Sequence, residues 1–346
     1  MARAIALLSG GLDSTLAVLV MVRQGIDVTA ITFLTHFGCD IADRSSCSKN
    51  PFPAAEEFGF TVKLCHLSEK FIEIVKNPKF GHGRNMNPCI DCRILMLREA
   101  KSLMDMIGAD FLVTGEVLGQ RPMSQRRDTL NVIDREAGVK GYVVRPLSAR
   151  LLRATVPEEE GIVERERLYN FSGRSRKPQM SLAKEIGLTN YPAPAGGCLL
   201  TEPNYAYRLR ELLTHMQDPS FGDFSLLRVG RHFRFSPTCK AVVGRDEKEN
   251  AVLKSFAEGA RYICHVEGFG SPVVLLSGGD SGDFVALAAA VCARYSDAKG
   301  LPEVDVTVYD PAGYCFVTRV APACDDLLAT CRIEKPVGRT VRGRTE

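Results

Sequence analysis

The sequence predicts an α/β fold in which a parallel twisted sheet is followed by a smaller α+β domain. Up to about residue 200, strand-length apolar runs alternate with helix-length segments. This alternation is typical of a parallel sheet with helices on both faces. Beyond that point strands dominate, and 346 residues with 45% hydrophobic content exceed one typical domain. The chain is therefore expected to form at least two domains.

The spacing of apolar residues places the elements of the first part. The predicted strands are 4–8, 27–33, 61–66 and 110–114, and the predicted helices are 13–23, 54–58, 69–75 and 93–107. Ligands of such sheets collect at the carboxyl ends of the strands. The residues expected at these ends are Ser9, Thr35, Thr114, Gly115 and Glu116.

The second part is predicted to contain a connecting helix and then mainly strands. The predicted strands are 226–229, 241–243, 262–266 and 273–276, followed by a helix at 283–295 and a strand pair at 304–309 and 314–320. We therefore predict four segments: an α/β domain at 1–200, a linker helix at 201–218, an α+β domain at 219–300, and a strand pair with a basic tail at 301–346. The last fifteen residues hold five basic and two acidic residues, which is typical of a disordered tail or a backbone-binding arm.

Charge and cysteine content limit the classes of function. The net charge is only +3, but residues 121–184 hold 14 Lys or Arg against 8 Asp or Glu, which indicates a localised anionic partner or a solvated basic face. No stretch approaches the roughly 20 apolar residues of a membrane span, so we expect a cytoplasmic protein that does not act at a membrane. In a reducing compartment the 12 cysteines are expected to be thiols.

The loop Ser9-Gly10-Gly11-Leu12-Asp13-Ser14-Thr15 stands between the first strand and the first helix. Glycines allow a sharp turn, and a helix N-terminus presents unpaired N–H groups, so this junction suits an anion. A simple helix cap would account for one hydroxyl but not for the whole set.

The loop resembles the Ser-Gly-Gly-x-Asp-Ser motif of the PP-loop ATP pyrophosphatase superfamily. The resemblance implies an adenine-nucleotide alpha-hydrolase type of sheet, cleavage of ATP between the α and β phosphates, and adenylation of a carbonyl oxygen. It also implies a catalytic Asp13 that orients Mg²⁺, because a carboxylate beside phosphates requires a cation. The implied ATP-binding residues are Ser9, Gly10, Gly11, Asp13, Ser14, Thr15 and, beside the adenine, Phe33.

Three cysteines form the second motif. Cys89 and Cys92 form a CxxC pair just before the helix predicted from Arg93, and Cys198 follows in the turn "PAPAGGCLL". Such thiols suit a [4Fe–4S] cluster with one open iron, or a zinc site with an outside ligand. The arrangement is similar to the cluster-dependent tRNA thiolases of the superfamily, which implies that Cys89, Cys92 and Cys198 are catalytic and hold the cluster. The related 2-thiouridylases instead use such cysteines as a nucleophile and a persulfide carrier.

The segment "VTGEVLGQRPMSQ" at 113–125 is similar to tRNA 4-thiouridine synthetases. This resemblance adds Gly115 and Gln120 to the expected ATP site. The motif begins at Ser9, with no counterpart of the amino-terminal RNA-binding extension of those synthetases, so we expect RNA contacts elsewhere. The basic residues that we expect to contact RNA in this part are Arg121, Arg126, Arg127, Arg174, Arg176 and Lys177; Arg145 in "RPLS" adds another charge suited to phosphate.

The second part resembles the RNA-binding domain of the NFACT proteins. Gly244, Arg245, Asn250, His265, Gly268, Ser271 and Pro272 fall on its pattern. The expected RNA contacts are Arg231, Arg234 and Arg245, with His232 and Lys240 beside them and with Phe233 and Phe235 as stacking platforms. Basic residues that guard an exposed strand edge against aggregation would give the same pattern.

These observations together predict an ATP-dependent tRNA sulfurtransferase that adenylates a base carbonyl and delivers sulfur from the three cysteines. The expected sulfur donor is sulfide or a cysteine desulfurase, and a homodimer is the expected assembly. The alternatives are a persulfide thiolase without a cluster, an amidotransferase-like or small-molecule sulfurating enzyme with structural zinc, and an RNA-binding protein that releases no pyrophosphate.

Overall fold

The computed structural model describes residues 1–37, 50–193, 198–278 and 282–336. The chain divides into two compact units, Met1–Thr201 and Glu202–Glu346. The basic tail from residue 337 onward lies outside the described residues. Within the described ranges, no helix has both the length and the apolar content needed to cross a membrane.

The first unit alternates strands and helices as its sequence predicts. Its strands are β1 (Arg3–Leu7), β2 (Asp27–Leu34), β3 (Thr61–His66), β4 (Phe111–Thr114) and β5 (Val143–Val144). Its helices are α1 (Leu12–Val22), α2 (Phe52–Phe58), α3 (Ser68–Lys76), α4 (Cys89–Ile107), α5 (Arg127–Glu136), α6 (Val156–Glu159) and α7 (Lys177–Ile186). Among the described residues the strands form one parallel sheet in the order β3-β2-β1-β4-β5. The predicted α/β class is thus confirmed.

Helix α1 is buried on nearly all sides, from Leu12 to Met21. An apolar helix of this kind belongs in a core, and α1 packs between the sheet and α7. This packing fixes the loop that precedes α1 against the centre of the sheet.

The second unit contains a six-stranded antiparallel sheet. Its helices are α8 (Pro203–His215), α9 (Phe221–Leu226), α10 (Glu247–Ser255), α11 (Gly282–Tyr295) and α12 (Asp325–Cys331). Its strands are β6 (Arg231–Ser236), β7 (Cys239–Val243), β8 (Tyr262–Val266), β9 (Val274–Ser277), β10 (Val304–Tyr309) and β11 (Cys315–Val320). The strand order among the described residues is β11-β10-β8-β9-β7-β6. The pair β10 and β11, which the sequence analysis assigned to 301–346, therefore lies in the same sheet as β6 to β9.

Two predicted elements differ from the structure. The strand predicted at 226–229 is wrong, because Leu226 ends helix α9 and residues 227–229 form a turn, in which the Val229 N–H donates to the Leu226 carbonyl oxygen at 3.2 Å. The Ser220 hydroxyl accepts from the Asp223 N–H at 3.3 Å, and the Asp223 carboxylate accepts from the Ser220 N–H at 2.8 Å. This reciprocal cap starts a helix. In the first unit, α4 begins at Cys89 rather than near Arg93.

Candidate active site

The carboxyl ends of β1, β2 and β4 lie at one edge of the first sheet. β1 is central; the chain continues through β2 and β3 on one side and then crosses to β4 on the other. Such a reversal of strand order opens a crevice between the two central strands, where α/β proteins bind their ligands. The polar segments that follow β1 and β4 meet in this crevice.

Hydrogen bonds within the loop after β1 hold it in a tight turn. The Ser14 hydroxyl donates to the Gly11 carbonyl oxygen at 3.0 Å and lies 3.1 Å from the Ser9 hydroxyl. The Ser9 backbone N–H donates to the Ser14 hydroxyl at 3.2 Å. Gly10 has a φ of +68°, a conformation that favours glycine. The turn leads directly into the positive end of the α1 dipole.

Gly115 allows the end of β4 to touch this loop. A Cβ atom at position 115 would lie 2.5 Å from both the backbone N and the Cα of Ser14. Real Cβ atoms essentially never approach backbone atoms so closely. Only glycine therefore permits the observed contact between the two segments.

The Asp13 carboxyl group has one satisfied oxygen and one unsatisfied oxygen. Gln120 Nε2 donates to Asp13 Oδ2 at 3.1 Å, while Asp13 Oδ1 has no hydrogen-bond partner among the described residues. Burial raises the pKa of this carboxyl, and the Gln120 bond and the charges of Arg176 and Arg121 only partly oppose the increase. A hard cation beside Oδ1 would both pair this oxygen and favour the ionised form, so the donor fits Mg²⁺.

A cavity of about 390 Å³ lies over the crevice. This volume is within the range of small-molecule sites. Most of the residues predicted for the site line it: Ser9, Gly11, Asp13, Ser14, Phe33, Cys89, Cys92, Gly115, Gln120, Arg121, Arg174, Arg176 and Cys198. The structure thus brings the predicted nucleotide residues, the three cysteines and three of the predicted arginines into one cavity.

Five predicted residues of the first unit do not line the cavity: Gly10, Thr15, Arg126, Arg127 and Lys177. Gly10 and Thr15 still shape the loop, since the Thr15 N–H donates to the Gly11 carbonyl oxygen at 3.0 Å. Arg126 lies 3.2 Å from the Asp128 carboxylate, and Arg127 donates to the Leu151 carbonyl oxygen at 2.7 Å. Arg126, Arg127 and Lys177 lie outside the cavity, so any contact that they make with RNA occurs at another surface.

Cys89 and Cys92 occupy the first turn of α4, whereas they were expected just before the helix. Burial raises the pKa of the Cys89 thiol, and the charges of Arg121 and Arg93 partly oppose the increase. Cys198 lines the same cavity. Among the described residues, however, no group of three or more His, Cys, Asp or Glu side chains is placed to hold a metal ion. The three thiols share the cavity without forming a metal-binding group.

The sequence did not reveal a buried ion network that reaches the wall of the cavity at Glu116. Arg145 donates to both Asp134 carboxylate oxygens, at 2.9 and 2.7 Å, and to Glu116 Oε2 at 2.9 Å. Burial raises the pKa of Glu116, but the charges of Arg145 and Arg93 outweigh this effect, so the net change is a decrease. The expectation that Arg145 binds phosphate is wrong, because it is 5% exposed and already paired with two carboxylates.

The predicted RNA contacts of the second unit are partnered within that unit. Arg231 lies over the Tyr295 ring, 4.6 Å from its centroid. Arg234 pairs with Glu211, and Arg245 with Glu249. β6, which carries Arg231 and Arg234, is at the edge of the sheet that the described residues form. The expected stacking role of Phe233 is wrong, because this side chain is fully buried in the core of the unit.

Comparisons with known proteins match both units. Residues 1–150 match the family model described as thiamine biosynthesis protein (ThiI), and residues 230–330 match that of the NFACT protein RNA binding domain. A bifunctional protein NifU/MnmA of Rubrobacter xylanophilus is 30% identical over 164 residues, which cover 44% of this chain and 32% of that protein. A tRNA-specific 2-thiouridylase MnmA of Xanthobacter autotrophicus is 26% identical over 246 residues, 66% of this chain and 59% of the relative.

The chain therefore spans only about a third to three fifths of the length of these relatives. A solved 4-thiouridine synthetase–RNA complex with bound ATP is 20% identical, with a TM-score of 0.34, and covers 54% of this chain and 52% of that one. This structural similarity is too weak to support any inference beyond the sequence matches. Residues 1–150 are thus similar to the tRNA-thiolation branch of the PP-loop ATP pyrophosphatases, and residues 230–330 are similar to the RNA-binding domain of the NFACT proteins.

Proposed function

We propose that this protein is an ATP-dependent tRNA sulfurtransferase that replaces a base carbonyl oxygen with sulfur. The observation that carries the proposal is the shared cavity, in which the loop with Asp13 faces the thiols of Cys89, Cys92 and Cys198. A nucleotide-activating group and a sulfur-carrying group must both reach the same carbonyl group of the substrate. A single cavity satisfies this requirement.

The nucleotide is proposed to bind across the ends of β1 and β2. The backbone N–H groups of the loop and the N-terminus of α1 suit the phosphates, and Ile31 and Phe33 offer an apolar surface for the adenine. Asp13 Oδ1 would hold Mg²⁺, which would neutralise charge on the departing pyrophosphate. Arg93, Arg121 and Arg176 add positive charge to the same cavity.

The proposed chemistry has two displacement steps. The base carbonyl oxygen attacks the α-phosphorus of ATP, the bond to the β-phosphate breaks, and pyrophosphate leaves. Hydrosulfide then attacks the activated carbon, the C–O bond breaks, AMP leaves and a proton is released. Adenylation is needed because oxygen alone is a poor leaving group. Neither step changes an oxidation state when the sulfur arrives as hydrosulfide.

The form in which sulfur reaches the cavity distinguishes three versions of the proposal. Three thiols are a suitable donor set for a [4Fe–4S] cluster, but the described arrangement does not group them around one point, so we route no step through a cluster. A persulfide on one cysteine would transfer its outer sulfur and leave a disulfide with a second cysteine, which requires a thiol reductant. Structural zinc would leave the sulfur to a separate donor.

The function is tested by incubating the full chain with unmodified tRNA, sulfide, Mg²⁺ and ATP labelled at the α-phosphate. We expect AMP and pyrophosphate to form in equal amounts, and a thiolated nucleoside to appear in the digested tRNA by mass spectrometry. Asp13→Ala is expected to abolish both products. Nucleotide cleavage that gives an aminated base with ammonia, but no thiolated base with sulfide, would favour the amidotransferase alternative and refute thiolation.

The sulfur carrier is tested by anaerobic reconstitution with iron and sulfide, followed by absorption and EPR spectra. A cluster predicts thiolate-to-iron absorption that disappears in Cys89→Ala, Cys92→Ala and Cys198→Ala. Colourless protein that carries a persulfide, detected by mass spectrometry of the intact chain, would favour the cluster-free route. Cys324→Ala, at an exposed cysteine of the second unit, is the matched control.

A further inference from the structure

The turn that carries Cys198 is hydrogen-bonded to the loop that leads into helix α4. Asn85 Nδ2 donates to the Thr201 carbonyl oxygen at 2.7 Å. Beside this bond, the Met86 N–H donates to the Leu200 carbonyl oxygen at 3.1 Å. Within the turn, the N–H and the hydroxyl of Thr201 both donate to the Cys198 carbonyl oxygen, at 2.9 and 2.6 Å. A continuous set of hydrogen bonds therefore connects Asn85 to the backbone of Cys198.

The same loop is fixed to the first turn of α4, which carries the other two cysteines of the cavity. The buried Asp91 carboxylate accepts from the backbone N–H groups of Lys79 and Phe80, each at 3.1 Å. Asp91 lies between Cys89 and Cys92 in the sequence. The loop is thus bonded to α4 on one side and to the turn of the third cysteine on the other.

Asn85 has a backbone conformation that glycine would adopt at lower cost. Among the described residues it is the one residue other than glycine with a positive φ, which is +59°. Asparagine tolerates this conformation better than most residues, but glycine has no side chain to strain. A glycine here would lack the amide that donates to Thr201. The identity of residue 85 is therefore explained by its side chain as well as by the turn.

Sulfur transfer between thiols requires the third cysteine to be aligned with the other two. Cys89 and Cys92 are held together, because both lie in one turn of α4. Cys198 comes from a distant part of the sequence, so only contacts within the fold can set its position. Such alignment matters because a displacement of about 1 Å can slow a reaction by about a hundredfold.

We propose that Asn85 is a positioning residue that acts through Thr201 to align the Cys198 thiol with the two thiols of α4. Its amide fixes the distance between the loop and the turn, and the two bonds from Thr201 carry this constraint to the cysteine. The inference rests on the proposed function, because it assumes that the three thiols act together in sulfur transfer.

The turn has other attachments that keep it folded when the Asn85 bond is lost. The bond from Met86 to Leu200 does not involve the Asn85 side chain, and the Leu199 N–H donates to the Phe37 carbonyl oxygen at 3.2 Å. Removal of the Asn85 donor should therefore change the alignment of the thiol and not the fold of the domain.

The alignment is measured as the effective concentration of the Cys198 thiol beside the α4 thiols. The full chain is equilibrated with reduced and oxidised glutathione, so that two protein thiols are oxidised to a disulfide while one glutathione disulfide is reduced to two glutathione molecules. Alkylation and peptide mass spectrometry then quantify the disulfides that join Cys198 to Cys89 or Cys92. We expect such a disulfide in the wild type and an effective concentration about tenfold lower, or less, in Asn85→Asp. Aspartate keeps the size of the side chain and tolerates the positive φ, but its carboxylate has no donor.

Two further variants separate the side chain from the backbone. Asn85→Gly keeps the backbone conformation without the amide and should give the same decrease. Thr201→Val keeps the shape of the side chain without the hydroxyl and should give a smaller decrease, because the Thr201 N–H still bonds Cys198. Asn131→Asp makes the first substitution at an exposed asparagine of α5 and should cause no decrease.

Two measurements on the same proteins detect general damage. The Cys89–Cys92 disulfide, measured in versions that also carry Cys198→Ala, should have the same effective concentration with and without the Asn85 substitution, because both cysteines lie on α4. The affinity for Mg²⁺-bound α,β-methylene ATP, an analogue that resists cleavage between the α and β phosphates, should also stay the same.

An unchanged effective concentration in Asn85→Asp would overturn the inference while leaving the proposed function intact, and so would the absence of any Cys198 disulfide in the wild type. An equal decrease of the Cys89–Cys92 reference would overturn it as well, because that result indicates damage to α4. Thiolation of tRNA is assayed on the same preparations. A wild type that forms the Asn85-dependent disulfide but makes no thiolated nucleoside would overturn the proposed function and support the positioning role.

Discussion

The identities of two cavity residues, Gly115 and Asp13, are explained by their surroundings in the fold and not by the conformation of the local chain. Gly115 is an example, because no turn demands a left-handed conformation there; the approach of the Ser14 backbone demands the missing Cβ. Asp13 is another, since burial opposes its ionised form and only an added cation would offset that effect. Both residues are better suited to a bound nucleotide than to a stable empty fold.

Gly115→Ala should therefore impair nucleotide binding more than it impairs folding. The added methyl must push β4 and the loop apart, since the atoms it meets are backbone rather than a flexible side chain. We expect the dissociation constant of Mg²⁺-bound α,β-methylene ATP to rise about tenfold or more, because reaction geometry and binding tolerate only small displacements. Gly300→Ala, at a glycine with open space around it, should not change the affinity. Equal affinities in Gly115→Ala and the wild type would show that the loop can move without consequence.

Lys240 is a residue whose environment argues against the RNA-binding role that its positive charge indicated. Burial lowers its pKa to about 8, with an opposing increase from Glu211. Between this value and the ordinary 10.5, the unfolded chain binds more protons than the folded chain, so stability due to this group rises with pH. A lysine that folding drives toward the neutral form is a poor phosphate ligand.

Lys240→Met should stabilise the protein at about pH 7 and give a smaller benefit at about pH 10, where the wild-type lysine is neutral when folded. Urea denaturation of both proteins at the two pH values measures the difference. Lys248→Met, at an exposed lysine of α10, controls for the general effect of losing a positive charge. An equal gain in the free energy of unfolding at both pH values would contradict the lowered pKa of Lys240.

At the scale of elements, the sequence predicted the bounds of those helices and strands that depend only on residues nearby in the chain. The strands at 61–66, 262–266 and 304–309 have the predicted bounds, because their apolar patterns are bordered by clear breaks. Helix α9 was not predicted, since its signal is a polar cap and not an apolar period. The partners of Arg145 could not be predicted, because only the sheet order brings residues 116 and 134 to it.

The Arg145 network joins three elements, since Glu116 follows β4, Asp134 lies on α5 and Arg145 follows β5. Arg145→Met should destabilise the protein by about 3–5 kcal/mol, because two carboxylates would remain buried without their cation. Adding Glu116→Gln and Asp134→Asn to Arg145→Met should recover part of this loss. Denaturant unfolding measures each step, with the exposed Arg150→Met as control. A loss below about 1 kcal/mol would mean that the network relaxes without cost.

At the scale of the whole molecule, the nucleotide-binding residues are expected in the first unit, whereas the RNA-binding residues are expected in both units. Cationic residues line the cavity of the first unit, while the second unit matches an RNA-binding domain. The three arginines expected to contact RNA in this unit, Arg231, Arg234 and Arg245, already have partners within it, so an RNA that bound there would have to compete for them. The competition would cost less at Arg245, whose side chain is 45% exposed in its pair with Glu249, than at Arg234, whose side chain is 18% exposed in its pair with Glu211.

If RNA binds the second unit through its phosphates, Arg245→Gln should weaken tRNA binding regardless of sequence. The slope of log affinity against log salt should become shallower by about 0.7–0.9, because one fewer counterion is released. Arg319→Gln removes an arginine from a more exposed ion pair, with Asp305, and should leave the slope unchanged. Nucleotide affinity should be the same in both variants. An unchanged slope in Arg245→Gln would place the phosphate contacts elsewhere, and a change in both variants would show that net charge, and not a defined surface, attracts the RNA.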